Sequence, residues 1–262
     1  MARDDVERVW GSAEYAPTAE RLDPVAGRLV RRLTAALGGA AGLAEATVVD
    51  LGAGHGAVAA RLAVHARRVL AIEPTARMRE AGRRSTDPAV TWLDALGEDT
   101  GLRPASVDAV ASNFGALFCD PGAGPAEWCR ILKPGGVLAM TVWDERGFLA
   151  EMTRRMLTVL PPGGPQHLLW GRDEVIHQRL ATGFAEIAVE HLDLPWHFDS
   201  IADGMRLYQQ GSPTHSFTLA ALGERRELLA EALEGHLRDE ADPATGRIDS
   251  SAGYALITAR RR

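Results

Sequence analysis

A chain of 262 residues that is 46% hydrophobic can bury a substantial core, while a formal net charge of −6 excludes the concentrated positive face needed to grip nucleic acid or anionic lipid. Two cysteines, Cys119 and Cys129, are too few for a disulfide framework and too far apart for a CxxC motif, so reduced thiols and no metal centre are expected. The charged start MARDDVERVW and the lack of any apolar run near about 18 residues predict a cytoplasmic protein with a small-molecule partner, no nucleic acid and no membrane.

In DPVAGRLVRRLTAALGG, Asp23 reads as a cap, Pro24 as a first helical residue, Val25, Leu29, Leu33 and Leu37 as one apolar face, and Gly38 or Gly39 as a stop. Residues 1–43 are therefore expected to be helical, ahead of a core over 44–145. There, strands at 46–51, 68–73, 89–94, 107–113 and 136–143 alternate with helices over about 56–66, 75–83 and 125–132. That rhythm predicts an α/β fold with a mostly parallel sheet and helices on both faces. Beyond Trp143, helices are expected over 148–160, ended by PPGGP (161–165), and over 171–183, with strands at 185–194 and 251–260. The long stretch between those last strands carries helical patterns in IADGMRLYQQ and ERRELLAEALEGHL, so 198–250 is read as a helical cap over a ligand, within a single domain of 1–262.

The stretch VVDLGAGHGAVAARL places three glycines between the first strand and its helix, the pattern of a turn that lets a ligand approach bare backbone. Glu73 ends the next strand, where its carboxylate can accept hydrogen bonds from both hydroxyls of a ribose. Asp50, just before the glycines, repels a pyrophosphate but attracts an ammonium or sulfonium. Asp94 ends the third strand, placed to receive an adenine amino group with the Ala95 amide beside it. Three carboxylates around one pocket suit a cationic adenosine compound, S-adenosylmethionine, with S-adenosylhomocysteine as its product. The looser GxGxxA reading together with Glu73 keeps an NAD-dependent oxidoreductase as the alternative.

VVDLGAGHG, Glu73, the Asp94–Ala95 pair, VDAVASNFGAL and the LKPGG turn before GVLAMTVW resemble the successive motifs of class I S-adenosylmethionine-dependent methyltransferases, most of all the ubiquinone/menaquinone-biosynthesis type with its small-molecule relatives. The resemblance covers roughly residues 44–145. It implies a Rossmann-like seven-stranded sheet of order 3-2-1-4-5-7-6 with the last strand antiparallel. It also implies that Gly52, Ala53 and Gly54 line the methionine part of the cofactor, with Asp50 near its ammonium. Glu73 would then hold the ribose, Pro74 and Met78 pack about the adenine, Asp94 and Ala95 read its edge, Asn113 approach the methionine amine, and Tyr15 fold over the whole.

Methyl transfer from a sulfonium needs alignment above all, and a general base where the acceptor must lose a proton. His215, in GSPTHSF, and Asp144, after the fifth strand, are the candidate bases, with Asp144 equally able to cap the helix starting near Gly147. Phe114, Phe118 and Trp143, just past strand ends, are candidate walls of an apolar acceptor site. The expectation is methylation of an oxygen on a small molecule of secondary metabolism. A cyclase or binding protein that keeps the fold with a structural cofactor is the other alternative.

Overall fold

Val48, Val49 and Leu51 are all fully buried, so the strand they form has protein on both faces, as a central parallel strand must. The structure is a computed structural model describing residues 3–161 and 166–262, the side chains of 166–168 excepted. Helices α1 (Arg3–Trp10), α2 (Ala16–Ala36) and α3 (Ala40–Ala44) precede β1 (Thr47–Leu51). Then α4 (Ala57–Ala63), β2 (Arg68–Ile72), α5 (Ala76–Ser85), β3 (Thr91–Leu93), β4 (Val107–Asn113), α6 (Ala123–Ile131) and β5 (Leu132–Arg146) follow. The remainder comprises α7 (Gly147–Val159), α8 (Asp173–Leu180), β6 (Phe184–Phe198), α9 (Ile201–Arg206), α10 (Pro213–Ala221), α11 (Arg226–Glu240) and β7 (Ile248–Arg261).

The sheet has seven strands in the order β3-β2-β1-β4-β5-β7-β6, with β7 antiparallel to both its neighbours. The order reverses between β1 and β4, and in open α/β sheets ligands bind at the carboxyl ends of the strands at that crevice. Alternate residues serve two separate cores. Small residues Ala71, Ala109, Ala111 and Ala139 pack with Leu29 and Leu33 of α2 and Val58 and Leu62 of α4, while Val110, Leu138 and Met140 face Trp128, Trp170 and the residues of the last third of the chain. No helix among the described residues is long and apolar enough to cross a membrane.

Several boundaries differ from the expected ones. Helix α2 begins near Tyr15 with Pro17 in its first turn, so Pro24 lies inside it and Asp23 caps nothing, pairing instead with Arg61 of α4 at 2.7 Å. Strands β6 and β7 are longer than their apolar runs, because pairing from Phe184–Arg261 to Phe198–Ile248 carries them through polar residues. Between them, the segment read as a cap contains three α-helices and a π-helical turn at Leu207–Gly211. Of these, α10 follows no pattern noted in the sequence. Of PPGGP, residues 162–165 lie outside the described residues.

One buried side chain in this region carries a stability prediction. His236 of α11 is fully buried with its ring 4.3 Å from that of Phe148 in α7, and neither ring nitrogen has a well-formed hydrogen bond. Burial holds its pKa below the ordinary value. At this site the folded state therefore binds fewer protons than the unfolded chain, so the contribution of His236 to stability is full above about pH 6.5, the unfolded histidine value, and declines as pH falls below it. His236→Leu removes an unsatisfied buried donor that costs about 1–3 kcal/mol. Thermal unfolding of the variant is expected to show a higher midpoint at pH 5.5 and a shallower decline between pH 7 and 5.5 than the wild type. A midpoint equal to or below that of wild type at both pH values contradicts this account.

Candidate functional site

The turn after β1 is built on backbone that side chains would spoil. Gly52 (φ +67) would place a Cβ 2.9 Å from the Gly115 Cα, and Gly54 (φ +54) would place one 3.1 Å from the ring of Tyr15. Asp50 is buried beneath this turn and its Oδ2 accepts from the Ala59 N–H at 2.9 Å, anchoring the start of α4. Burial, with nearby Glu73 adding to it, pushes the Asp50 carboxyl up to about 7. The Ala53 N–H donates to the Ile72 carbonyl at 2.9 Å and ties the turn to β2.

Glu73 follows β2 and is also buried. Its two carboxylate oxygens accept from the Gly54 and Thr75 N–H groups, each at 2.9 Å, so the acid spans from the glycine turn to the start of α5. Burial raises its pKa, against the pull of those two amides and of Arg79. Arg79, buried on α5, donates to the carbonyls of Glu73 and Pro74 at 2.8 and 2.7 Å and to Asp94 Oδ1 at 2.9 Å.

A pocket of about 80 Å³ opens beside these groups, lined by Gly52, Gly54, Glu73, Pro74, Met78, Asn113 and Tyr15 among the residues singled out in the sequence. Asn113 is held by the Thr141 hydroxyl, which donates to its Oδ1 at 2.9 Å, and by the Leu22 carbonyl, which accepts from its Nδ2 at 3.3 Å. Asp50, Ala53, Asp94 and Ala95 are not among the lining residues. Arg79 and Arg3 both engage the Asp94 carboxylate, which sits half exposed beyond β3, and the pocket is lined there by Leu96, Gly97 and Glu98. The N-terminal segment adds Val6 and Trp10 of α1 and Tyr15 at the start of α2, and the residues after β4 add Phe114, Gly115, Phe118 and Cys119. Desolvation, with Glu73 and Asp50 nearby, raises the Tyr15 phenol pKa.

A second cavity of about 740 Å³ lies against the first, and Trp10, Tyr15, Phe114 and Phe118 line both. These rings touch one another: Trp10 meets Phe118 edge-on at 4.8 Å and Tyr15 at 6.0 Å, and Phe114 stacks on Trp143 at 4.0 Å. The far wall comes from α7 and from the segment between β6 and β7. His215, on the first turn of α10, lines it, with its Nδ1 2.7 Å from the Ser212 hydroxyl and its ring 5.0 Å from that of Tyr208. The N-terminal segment is fastened to this wall by Thr18 Oγ1 donating to the Gly211 carbonyl at 2.6 Å and by the Glu14 N–H donating to Gln210 at 3.1 Å.

Asp144 borders the same cavity, yet its carboxylate is turned into the protein. Its oxygens accept from the Arg146 guanidinium at 2.7 and 2.9 Å and from the Arg146 amide at 2.8 Å, and its Oδ2 lies 3.1 Å from His191 Nδ1. It neither caps α7, whose N-cap is Arg146, nor has an oxygen disposed as a base. Sequence reading missed Val6, Trp10, Thr18 and Leu22, whose places depend on contacts across the whole chain. No group of three metal-binding side chains occurs among the described residues.

The model of the methyltransferase domain family matches residues 49–140, which span the glycine turn, Glu73 and β4. A dimethylglycine N-methyltransferase of Parasynechococcus marenigrum is 34% identical over 205 residues, covering 71% of this chain and 72% of that protein. The chain belongs to the class I S-adenosylmethionine-dependent methyltransferases. Within the family, the ubiquinone/menaquinone biosynthesis C-methyltransferase of Rubrivivax gelatinosus is 38% identical over 92 residues, covering 34% of this chain and 36% of that one. The chain spans 40% of the length of the uncharacterized mycobacterial methyltransferases it matches. The fold of this methyltransferase is shared with the YcgJ protein of Bacillus subtilis, at a TM-score of 0.56 and 18% identity over 84% of this chain and 93% of that one.

Proposed function

We propose that the protein moves the methyl group of S-adenosylmethionine onto an oxygen of a small organic acceptor held in the 740 Å³ cavity. One observation carries this reading: two adjoining pockets share a single aromatic partition, one built from bare glycine backbone and a buried carboxylate, the other apolar. The residues present fit the cofactor. Gly52 and Gly54 leave open the backbone where an amino-acid tail would lie, Glu73 offers its remaining lone pairs to ribose hydroxyls, Pro74 and Met78 offer apolar surface to adenine, and Asn113 stands opposite. The side chains that narrow the pocket include Val6, Trp10 and Tyr15 of the N-terminal segment.

When bound, S-adenosylmethionine supplies a methyl group on a sulfonium sulfur, open to in-line attack. The protein's own part is to orient and to dry the site. Trp10, Phe114 and Phe118 exclude water and set the approach of the acceptor, and such orientation supplies on the order of 7–11 kcal/mol. His215 receives the acceptor hydroxyl's proton at Nε2 when its Nδ1–H donates to the Ser212 hydroxyl. A second reading, methylation of a tertiary amine, rests on the dimethylglycine N-methyltransferase relative.

Calorimetry with S-adenosylmethionine, S-adenosylhomocysteine and NADH at two pH values tests the cofactor. Asp50, held near 7, is largely protonated at pH 5.5 and largely ionised at pH 8. A cationic ligand favours the ionised form, so binding releases protons at the lower pH and affinity rises with pH, by about five- to tenfold over this range. NADH binding with no S-adenosylmethionine binding overturns the proposal, and affinity independent of pH removes Asp50 from it.

A further inference from the structure

The second cavity states what kind of acceptor it takes, on the reading that it is the acceptor site of a methyl transfer. Its 740 Å³ lies toward the upper end of pockets that enclose a drug-sized ligand. Helix α7 lines it with Leu149, Met152 and Met156, and Leu160 follows at the end of the helix, spaced three and four apart. An apolar stripe at that spacing normally packs against another element; here Met152 reaches the core, with Leu149 and Met156 packed against it, and the stripe also borders a cavity that apolar matter fills favourably. Methionine adapts its shape to irregular guests.

The charges at the cavity are neutralised within the protein. Arg154 pairs with Glu151 at 2.8 Å and Arg172 with Glu145 at 2.7 Å, while Asp144 is taken by Arg146. A carboxylate-bearing guest would share Arg154 or Arg172 with its acidic partner and a cationic guest would share Glu145; these pairs are about half exposed and weak, so it is the mainly apolar lining that disfavours a charged guest. At the partition, Phe114 holds φ +58, an unusual conformation for a bulky residue, with its ring stacked on Trp143 at 4.0 Å. That strained placement keeps the wall facing the cofactor pocket aromatic.

We propose that the acceptor is a bulky, uncharged, predominantly apolar molecule of drug-like size, and not a small charged metabolite such as an amino acid. The neutral fluorophore N-phenyl-1-naphthylamine, titrated into full-length protein saturated with S-adenosylhomocysteine, tests this. Saturable binding is expected, together with no displacement by dimethylglycine. Thr153→Trp and Ala150→Trp, which fill the cavity from α7, are each expected to weaken the fluorophore by about tenfold or more and to leave S-adenosylhomocysteine affinity unchanged. Two variants guard against one failing to fold, which circular dichroism melting reveals. Bound S-adenosylhomocysteine with no saturable fluorophore binding, equal binding to a folded tryptophan variant, or turnover of dimethylglycine overturns the acceptor class and leaves the cofactor reading standing. Absence of S-adenosylhomocysteine binding overturns the methyl-transfer reading itself, and the acceptor class with it.

Discussion

Glu73→Ala is expected to weaken S-adenosylhomocysteine binding by at least about tenfold and up to about a hundredfold, because each charge-assisted hydrogen bond to a ribose hydroxyl is worth about 1.5–3 kcal/mol and each 1.4 kcal/mol is a factor of ten. The acid does two things at once. It offers acceptors to the ligand, and it ties the Gly54 and Thr75 amides together across the turn. Alanine removes both, so a fall in affinity alone does not distinguish contact with the ligand from collapse of the turn. Glu73→Gln keeps the volume and one carbonyl acceptor, but its NH2 faces the Gly54 or Thr75 N–H donor to donor, so both variants are expected to melt below wild type, the alanine variant the lower. Contact with the ligand is read instead from S-adenosylhomocysteine lacking a ribose hydroxyl, which is expected to bind wild type more weakly than the parent ligand does, while each variant binds the two about equally. Calorimetry giving both variants wild-type affinity rules out the ribose role.

The elements nearest the glycine turn were the most legible in the sequence, for a physical reason. Strands buried on both faces must be nearly continuous apolar runs, so TVVDL and RVLAI announce themselves, and their carboxyl ends meet wherever the chain puts them in a parallel sheet. Phe114, just past β4, and Trp143, near the end of β5, line the second cavity, and the carboxyl ends of the strands are where the sequence directs attention. Charged residues were harder to place. Asp50, Asp94 and Asp144 all stand at or near strand ends and look alike in sequence, yet one anchors α4, one is claimed by two arginines, and one lies folded into the protein. The last arises because Gly253 on β7 has no side chain: a Cβ there would meet Asp144 Oδ1 at 2.1 Å, so the carboxylate turns into that gap toward Arg146 and His191. Nothing local to Asp144 signals it. The start of α2 was obscured by Pro24, which suits a first turn so well that its interior position is visible only from packing. The N-terminal cover over the first pocket depends on contacts such as Arg3 with Asp94, 91 residues apart, which no local pattern carries.

With Asp144 engaged elsewhere, His215 is left as the proposed base, and His215→Ala is expected to lower kcat by about 100- to 10,000-fold on a hydroxyl acceptor, with the affinity for S-adenosylhomocysteine unchanged. The hydrogen bond of Nδ1 to Ser212 matters to the magnitude. If the histidine serves by accepting a proton at Nε2, the Ser212 hydroxyl fixes the useful tautomer, and Ser212→Ala is expected to cost less than the histidine itself while changing the same kinetic step. Ser212 is the residue before α10, and its carbonyl accepts from the Ser216 N–H at 2.9 Å through backbone alone, so the alanine variant keeps the helix start. Two readouts distinguish a base from a wall residue. Loss of a base removes the rise of kcat on the acidic side of the pH profile, leaving a rate that increases only with ionisation of the acceptor. A neutral acceptor whose hydroxyl has a lower pKa is expected to lose much less rate in His215→Ala, since it gives up its proton more readily without a base. A variant equally impaired on both acceptors, with its pH profile unaltered in shape, places His215 in the wall of the cavity and leaves the transfer to proximity and alignment.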